Sequence, residues 1–311
     1  MSENSDLKWI HEEFSSHSFS DERLHKRLLK ITEAFSKSPS LSINQACAEW
    51  AAIKGAYRFF DNVNVSSDLI LEPHFKTTLE RCFGEERILV IQDGSKINFD
   101  SHHATEGLGS YCANDRFETK GLITHTALAI NTEGVPLGVI AQKTWARDIP
   151  DSVKKMSPYD SFNRPIEDKE SYSWIETIQH AKKRLPEKGI IIVGDRENDI
   201  YEFFQEALLE DVQFVVRSCY SRVIEDEFGL YENLNKKLKN LPEMGRVCLH
   251  LPSRKGVKAR SASLELRYTE VMLIPAPRGI KTQKTKTRIE VPLFVVELKE
   301  MNPPKGIKGL D

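Results

Sequence analysis

Apolar residues recur at helical spacing near the start of the chain. The segment SFSDERLHKRLLKITEAFSK has one apolar residue every three or four positions, which predicts an amphipathic helix that Ser20 can cap. These apolar residues are Leu24, Leu28, Ile31 and Phe35. A second helical stretch, NQACAEWAAIKGAYRFF, ends at the polar break DNVNVSS. Residues 1–70 are therefore predicted to form a small helical domain.

The other faces of the first predicted helix carry four cations, Arg23, Lys26, Arg27 and Lys30. A charged face on an amphipathic helix is ordinarily a solvated surface. A surface that binds nucleic-acid phosphates is the alternative, and the pattern alone leaves both interpretations open.

The pattern changes after the polar break. RILVIQD predicts a short strand that ends at Asp93, and THTALAINTEGVPLGVIAQ predicts a hairpin around NTEG. The helix SYSWIETIQHAKKRL, the strand IIIVGD, the helix NDIYEFFQEALL and the strand VQFVVRS follow. This order predicts an α/β fold with a mixed sheet flanked by helices.

Two of the predicted strands end in an aspartate, Asp93 after LVIQ and Asp195 after IIVG. Open α/β sheets place their chemistry at the carboxyl edge of the strands, where two carboxylates would repel each other unless a cation lay between them. Oxygen ligands of this kind suit Mg²⁺. The alternative is that each aspartate only caps a turn or a helix.

Composition narrows the protein class only slightly. A chain of 311 residues has the length of about two domains, and its net charge of −2 excludes a polybasic protein but permits a local basic face. Five scattered cysteines without a CxxC pair argue for a reducing compartment. Because no signal peptide and no apolar run of about 18 residues is present, a cytoplasmic protein without a membrane partner is predicted.

Eight segments together carry a resemblance to a known family. They are GAYRFFDNVNVS, VIQDGS, GLGSY, KGLITHTALAI, PLGVIAQKTWAR, VGDRENDIYEFF, FVVRS and NPPKG. In order and approximate spacing they resemble the DDE transposases of the insertion-sequence-four family, which includes the cut-and-paste transposase of transposon five. The resemblance runs from about Trp9 to Gly306.

The resemblance implies a helical domain that binds transposon ends and, over residues 71–311, an RNase H-like core that binds Mg²⁺ or Mn²⁺ through two aspartates and a glutamate. It makes Asp93 and Asp195 the first two of these acids. Double-stranded DNA at transposon ends is the implied partner, and a nucleoid-associated location follows. The implied DNA contacts are Arg23, Arg27 and Lys37 in the helical domain and Arg217 in the core.

The third acid of the family has no counterpart here. It lies on a helix with the pattern Tyr, two residues, Arg, three residues, Glu, six residues, Lys, and no tyrosine in this sequence begins that pattern. Residues of about 220–305 resemble the family's β-rich insertion, so the core is expected to be incomplete at the carboxyl end. The resemblance then implies a transposase that is inactive alone and has a full-length transposase as a further partner.

Two other functions stay open at this point. One is a non-catalytic DNA-binding relic or inhibitor of transposition, and the other is a metal-dependent nuclease that uses two aspartates. Glu197 and Asp199 are expected to begin a helix rather than to replace the third acid. The basic insertion is interpreted either as a phosphate-contacting surface or as an exposed sheet with solubilising cations. Its cations are Arg254, Lys255, Lys258, Arg260, Arg278, Lys281, Lys284, Lys286 and Arg288.

Overall fold

The computed structural model describes residues 7–16, 18–111, 119–147, 164–225, 229–254, 258–275, 289–304, 306–307 and 309–310. The chain divides into two compact units. The first unit comprises residues 1–153, 173–194 and 210–215. The second comprises residues 154–172, 195–209 and 216–311.

Five helices open the first unit: α1 (Lys8–Glu13), α2 (Glu22–Lys37), α3 (Ile43–Cys47), α4 (Trp50–Phe60) and α5 (Ser67–Cys82). The first four pack around a small apolar core in which Leu28 and Ile31 of α2 lie against Phe59 of α4. Phe19 adds an edge-to-face contact, with its ring centroid 5.7 Å from that of Phe59. The predicted helical character of this region is confirmed.

Two local details differ from the sequence prediction. The cap of α2 is Asp21 rather than Ser20, because the Asp21 side chain accepts a hydrogen bond from the backbone N–H of Arg23. The second predicted helix is two helices. Ala48 adopts a positive φ of 55°, which ends α3, and α4 begins two residues later.

The sheet of the first unit has five strands in the order β3-β2-β1-β4-β5. They are β1 (Arg87–Asn98), β2 (Gly121–Ile130), β3 (Pro136–Trp145), β4 (Gly189–Gly194) and β5 (Gln213–Val216). β2 is antiparallel to both β1 and β3, and β4 is parallel to β1. Helix α6 (Tyr172–Arg184) follows β3 in the described chain and buries Trp174, Ile175 and Ile178. The predicted mixed α/β fold is confirmed.

The prediction that the first strand ends at Asp93 is wrong. β1 continues for five more residues because β2 pairs with it as far as Asn98 and Gly121. The pairing of β1 with β4 stops earlier, at Ile91 and Val193. Long-range pairing thus extends a strand whose polar second half carries no hydrophobic signal.

The second unit contains helices α7 (Tyr201–Leu209) and α8 (Leu234–Asn240) and a second sheet. Its strands are β6 (Val223–Glu225), β7 (Tyr231–Asn233), β8 (Gly245–Leu251), β9 (Arg260–Leu273) and β10 (Val291–Glu300). The order is β10-β9-β6-β7, and β8 also pairs with β9. The segment predicted to be β-rich therefore forms a sheet.

Residue 70, the predicted end of the helical domain, lies within α5, so the domain boundary stays a prediction. In the part of the chain that is described, no helix is both long enough and apolar enough to cross a membrane.

Candidate nucleic-acid interface

One side of α2 is a basic stripe formed by five cations. They are Arg23, Lys26, Arg27, Lys30 and Lys37. At about 100° per residue they fall within an arc of roughly 100° on the helix surface. The buried residues Leu28 and Ile31 lie outside this arc. The core contacts of α2 therefore leave the basic stripe facing outward.

The cations of the basic stripe differ in their ion pairing. Arg23 lies 3.0 Å from Asp21, and Lys26 lies 2.8 Å from Glu22. The Arg23 guanidinium, mainly by hydrogen bonding, lowers the pKa of the Asp21 carboxyl. The remaining three, Arg27, Lys30 and Lys37, have no ion-pair partner among the residues that the structure describes. Their charge is available to a phosphate.

Helix α4 supports the position of Arg27. A Cβ atom at Gly55 would lie 2.4 Å from an outer guanidinium nitrogen of Arg27, so a larger residue there would displace the flexible end of this side chain. Lys54 and Arg58, on either side of this glycine in the chain, are exposed and also have no ion-pair partner within the described ranges. A helix-interior glycine costs about 1 kcal/mol relative to alanine, and the close approach of Arg27 explains its presence.

Asp93 lies in the middle of β1 opposite Thr126 of β2, and it is exposed. Its Oδ1 accepts a hydrogen bond of 2.8 Å from the backbone N–H of Gly94. The second carboxylate oxygen has no partner among the described residues, so it remains accessible to a cation.

A buried polar pair that the sequence did not reveal lies beside Asp93. His125 Nε2 is 2.9 Å from Oε1 of Gln92, and the imidazole contacts Trp174 edge to face. Burial lowers the pKa of His125 to about 4, and the nearby Asp93 carboxylate opposes that shift. His125 is therefore neutral at physiological pH. In the sequence, the burial of His125 was indicated only by its place in the apolar run LITHTALAI.

Asp195 follows β4 and is exposed. Its side chain caps the short 3₁₀ turn Arg196–Asn198 by accepting a 2.8 Å hydrogen bond from the backbone N–H of Glu197. As with Asp93, one carboxylate oxygen has no partner among the described residues. Capping thus uses one oxygen of Asp195 and leaves the other accessible.

Asp199, in contrast to Asp195, is buried and paired with another side chain. Only 2% of its side chain is exposed, and Arg222 binds both its Oδ1 and its backbone carbonyl. Oδ2 accepts from the backbone N–H groups of Cys219 and Tyr220. Of the two residues expected to begin a helix, Glu197 lies in the first turn of the 3₁₀ helix Arg196–Asn198, whereas Asp199 follows that turn and precedes α7, which begins at Tyr201. Both oxygens of Asp199 are occupied by these partners.

The basic positions outside the helical region are mixed in character. Arg217 follows β5 directly and is exposed. Arg254 and Lys258 are exposed, whereas Arg260 is paired with Glu300, which disfavours a phosphate contact at Arg260. The other predicted basic positions of the insertion lie outside the described residues. They are Lys255, Arg278, Lys281, Lys284, Lys286 and Arg288.

No cluster of three or more histidine, cysteine, aspartate or glutamate side chains suited to a metal ion occurs among the described residues. No three-ligand group that includes Asp93 or Asp195 is therefore found in that part of the chain. Two carboxylates with one accessible oxygen each remain, and their oxygen chemistry fits a hard divalent cation.

Comparison with known proteins points to the helical region. The family model described as "Transposase DNA-binding" matches residues 6–65, which contain α1 to α4 and the whole basic stripe. Among solved structures, the chain is similar to "Cryo-EM structure of piggyBac transposase synaptic complex with hairpin DNA (SNHP)", with 10% sequence identity and a TM-score of 0.32. That similarity covers 93% of this chain and 56% of the other, so this chain spans little more than half of that protein's length. A TM-score this low carries no argument, whereas the family match shows that residues 6–65 resemble the DNA-binding part of transposases.

Proposed function

We propose that this protein binds double-stranded DNA at transposon ends through its amino-terminal helices and acts in DNA transposition. The observation that carries the proposal is the set of cations without ion-pair partners on α2 and α4, inside the segment that matches the transposase DNA-binding model. On the basic stripe these are Arg27, Lys30 and Lys37.

Phosphate contacts release condensed counterions from DNA, so each contact adds to the dependence of affinity on salt concentration. A lysine or arginine that already has a carboxylate partner must break that ion pair before it can contact a phosphate. We therefore assign the largest contributions to Arg27, Lys30 and Lys37 and a smaller one to Arg23, which is paired with Asp21.

The test is a salt titration of binding to transposon-end DNA. Arg27→Ala and Lys37→Ala are expected to weaken binding and to reduce the slope of log affinity against log salt by about one for each lost contact. Lys8→Ala is the matched control, because Lys8 is also exposed on a helix but pairs with Glu12 outside the basic stripe. Equal slopes for all three variants and the native protein would show that the basic stripe is a solvated surface and does not contact DNA.

For the remainder of the chain we propose an RNase H-like core in which Asp93 and Asp195 hold Mg²⁺ or Mn²⁺. The mixed sheet supports this proposal, as does the accessible oxygen on each carboxylate. When bound, such an ion supplies Lewis-acid activation for phosphoryl transfer on DNA. The residues of this chain contribute the carboxylates and hold them on the sheet and at the adjoining turn.

Metal binding is tested with Mn²⁺, which is detected directly by electron paramagnetic resonance. Asp93→Asn and Asp195→Asn are each expected to weaken Mn²⁺ binding, because each removes a charged ligand. Asp211→Asn is the control, since Asp211 is an exposed aspartate with no role in the proposal. Binding that is equal in the three variants would contradict the assignment.

We further propose that the chain by itself binds DNA without cutting it. The missing Tyr-Arg-Glu-Lys pattern and the absence of a three-ligand cluster among the described residues support this view. A DNA-binding relic or inhibitor of transposition and a two-aspartate nuclease are the two alternative functions. Nicking of end-bearing DNA in Mg²⁺ that is abolished by Asp93→Asn would instead establish the nuclease.

A further inference from the structure

Helix α5 contains a proline in its interior, Pro73, which is buried. Proline has no backbone N–H and cannot donate to the carbonyl four residues earlier. In α5 that carbonyl belongs to Leu69, and the hydroxyl of Ser18 donates a hydrogen bond to it. A side chain from the α1–α2 connection therefore satisfies the carbonyl that Pro73 leaves without a helical partner.

The same amino-terminal segment also binds α5 beyond the proline. Thr77 Oγ1 lies 3.1 Å from the carbonyl oxygen of Pro73 and 3.0 Å from that of Glu13, so its single hydroxyl proton is shared between these two acceptors. The Glu13 carboxylate accepts from His74 Nδ1 and from the Arg81 guanidinium. Glu13 is itself buried, with 8% of its surface exposed. Glu13 and Ser18 thus contact α5 on opposite sides of Pro73.

The part of α5 that follows Pro73 is fixed on β3. The backbone N–H of Val139 donates to His74 Nε2 at 2.9 Å, and Arg81 donates to the carbonyl of Leu137 at 2.7 Å. Gly138, with φ of +139°, allows very close packing, because a Cβ atom there would lie 2.1 Å from Thr78 Oγ1.

The part of α5 that precedes Pro73 packs against the helical region rather than against β3. Leu69 and Ile70 pack against the apolar core of the helical region. A single helix therefore joins that core to the sheet of the first unit, and its weakest point, the proline, lies between the two attachments.

We propose that Glu13 and Ser18 together act as a splint across Pro73, so that the orientation of the amino-terminal helices relative to the sheet is held by Ser18 on one side and Glu13 on the other. Glu13 and Ser18 are positioning residues in this account. The imidazole of His74 links the splint to β3, since its Nδ1 contacts the Glu13 carboxylate and its Nε2 accepts from the backbone N–H of Val139. The charged groups that face it are Glu13 of α1 and Arg81 of α5, and β3 presents backbone groups.

The splint is tested by measuring a distance across the joint. Spin labels introduced through noncanonical amino acids at Lys54 of α4 and Glu133 of the β2–β3 turn leave the native cysteines in place, and both positions are exposed. The native protein is expected to give one narrow distance. Glu13→Gln and Ser18→Ala are expected to lose it and give a broad distribution. Glu12→Gln, which removes a neighbouring exposed carboxylate, is expected to keep it.

Amide hydrogen exchange provides a second readout at a single bond. The Val139 amide is expected to exchange about tenfold faster in Glu13→Gln, because the loss of the carboxylate partner frees the His74 ring. Glu12→Gln should leave this rate unchanged. If Glu13→Gln proves too unstable to study, Ser18→Ala carries the distance measurement alone, since it removes one neutral hydrogen bond.

Pro73→Ala gives an independent check. Alanine restores a backbone N–H that competes with Ser18 for the Leu69 carbonyl, so Ser18→Ala should no longer broaden the distance in a Pro73→Ala background. A narrow, unchanged distance in both Glu13→Gln and Ser18→Ala would overturn the proposal. All of these measurements are made without DNA, so their outcome is independent of whether the proposed function is correct.

Discussion

The helical region and the sheet of the second unit both carry many cations, but they use them differently. On α2, Arg27, Lys30 and Lys37 have no carboxylate partner among the described residues. In the second sheet, Arg260 pairs with Glu300, and Arg267 pairs with both Glu265 and Glu297. These pairs are formed across β9 and β10 or along β9 itself, and their arginine side chains are largely covered.

This difference shows that the number of cations in a segment does not identify a DNA-binding surface. Hydrogen bonding to Glu300 raises the pKa of Arg260, and Arg260 in return lowers the pKa of Glu300. Each group thus stabilises the charged form of the other. A cation held in this way has little to offer a phosphate, because a new contact would break an existing one. The pairing state, visible only in the folded protein, separates the two regions.

The largest expected effect is a loss of stability when the buried carboxylate of Asp199 is removed. Asp199→Ala would leave Arg222 and two backbone N–H groups of the second unit without their acceptor. Removing one partner of a buried pair costs about 3–5 kcal/mol. We expect the free energy of unfolding of the second unit to fall by about that amount in a urea titration. Asp195→Ala, four residues earlier and exposed, should cost about 1 kcal/mol through the lost cap. Equal costs for the two variants would remove the distinction between them.

The next largest expected effect is a pH dependence of the free energy of unfolding, caused by the buried His125. Because the pKa of His125 is about 4 in the folded protein and near 6.5 when exposed, the unfolded chain binds its proton first as the pH falls. The free energy of unfolding should therefore decrease from about pH 6.5 to about pH 4, by roughly 3 kcal/mol in total. His125→Gln should reduce this loss, whereas the exposed His102→Gln should not. Urea titrations at several pH values measure both.

The comparison of the two basic regions is sharpened by a pair of arginines. Arg27→Ala should reduce the salt slope of DNA binding by about one without a large loss of stability. Arg267→Ala should leave the salt slope unchanged and lower the melting temperature instead, because it breaks contacts with Glu265 and Glu297. An altered slope in Arg267→Ala together with an unaltered slope in Arg27→Ala would reverse the assignment of the DNA-binding surface.

The smallest expected effect separates helix stability from DNA binding at one position. Gly55→Ala improves helix propensity in α4 by up to about 1 kcal/mol. The added methyl group meets only the flexible end of Arg27, which must move. We therefore expect a slightly higher melting temperature and weaker DNA binding in the same variant. Gly84→Ala is the control, because nothing lies within 4 Å of a Cβ atom there. Unchanged DNA affinity in Gly55→Ala would show that the position of Arg27 does not matter.

The hydrophobic pattern was enough for most of the fold. Periods of three to four residues predicted α2 and α6, and apolar runs bounded by turn residues predicted β2, β3 and β4, because burial of one face decides these elements. Four of the five cations of the basic stripe were also recognised from the sequence pattern, and Lys37 was added by the resemblance. The assignment of Asp93 and Asp195 as metal ligands, and of Arg23, Arg27, Lys37 and Arg217 as DNA contacts, came from the resemblance and stays a prediction.

Other features depend on partners that are distant in the chain, so no local pattern could predict them. β1 extends to Asn98 because β2 pairs with it, and α3 ends where the backbone of Ala48 adopts a positive φ. Asp195 and Asp199 are alike in sequence, yet only Asp199 meets Arg222. Local sequence by itself determined which segments bury a face and where charge collects. Tertiary structure decided which charges are paired, because an ion pair requires two side chains from separate segments to be brought within a few ångströms of each other.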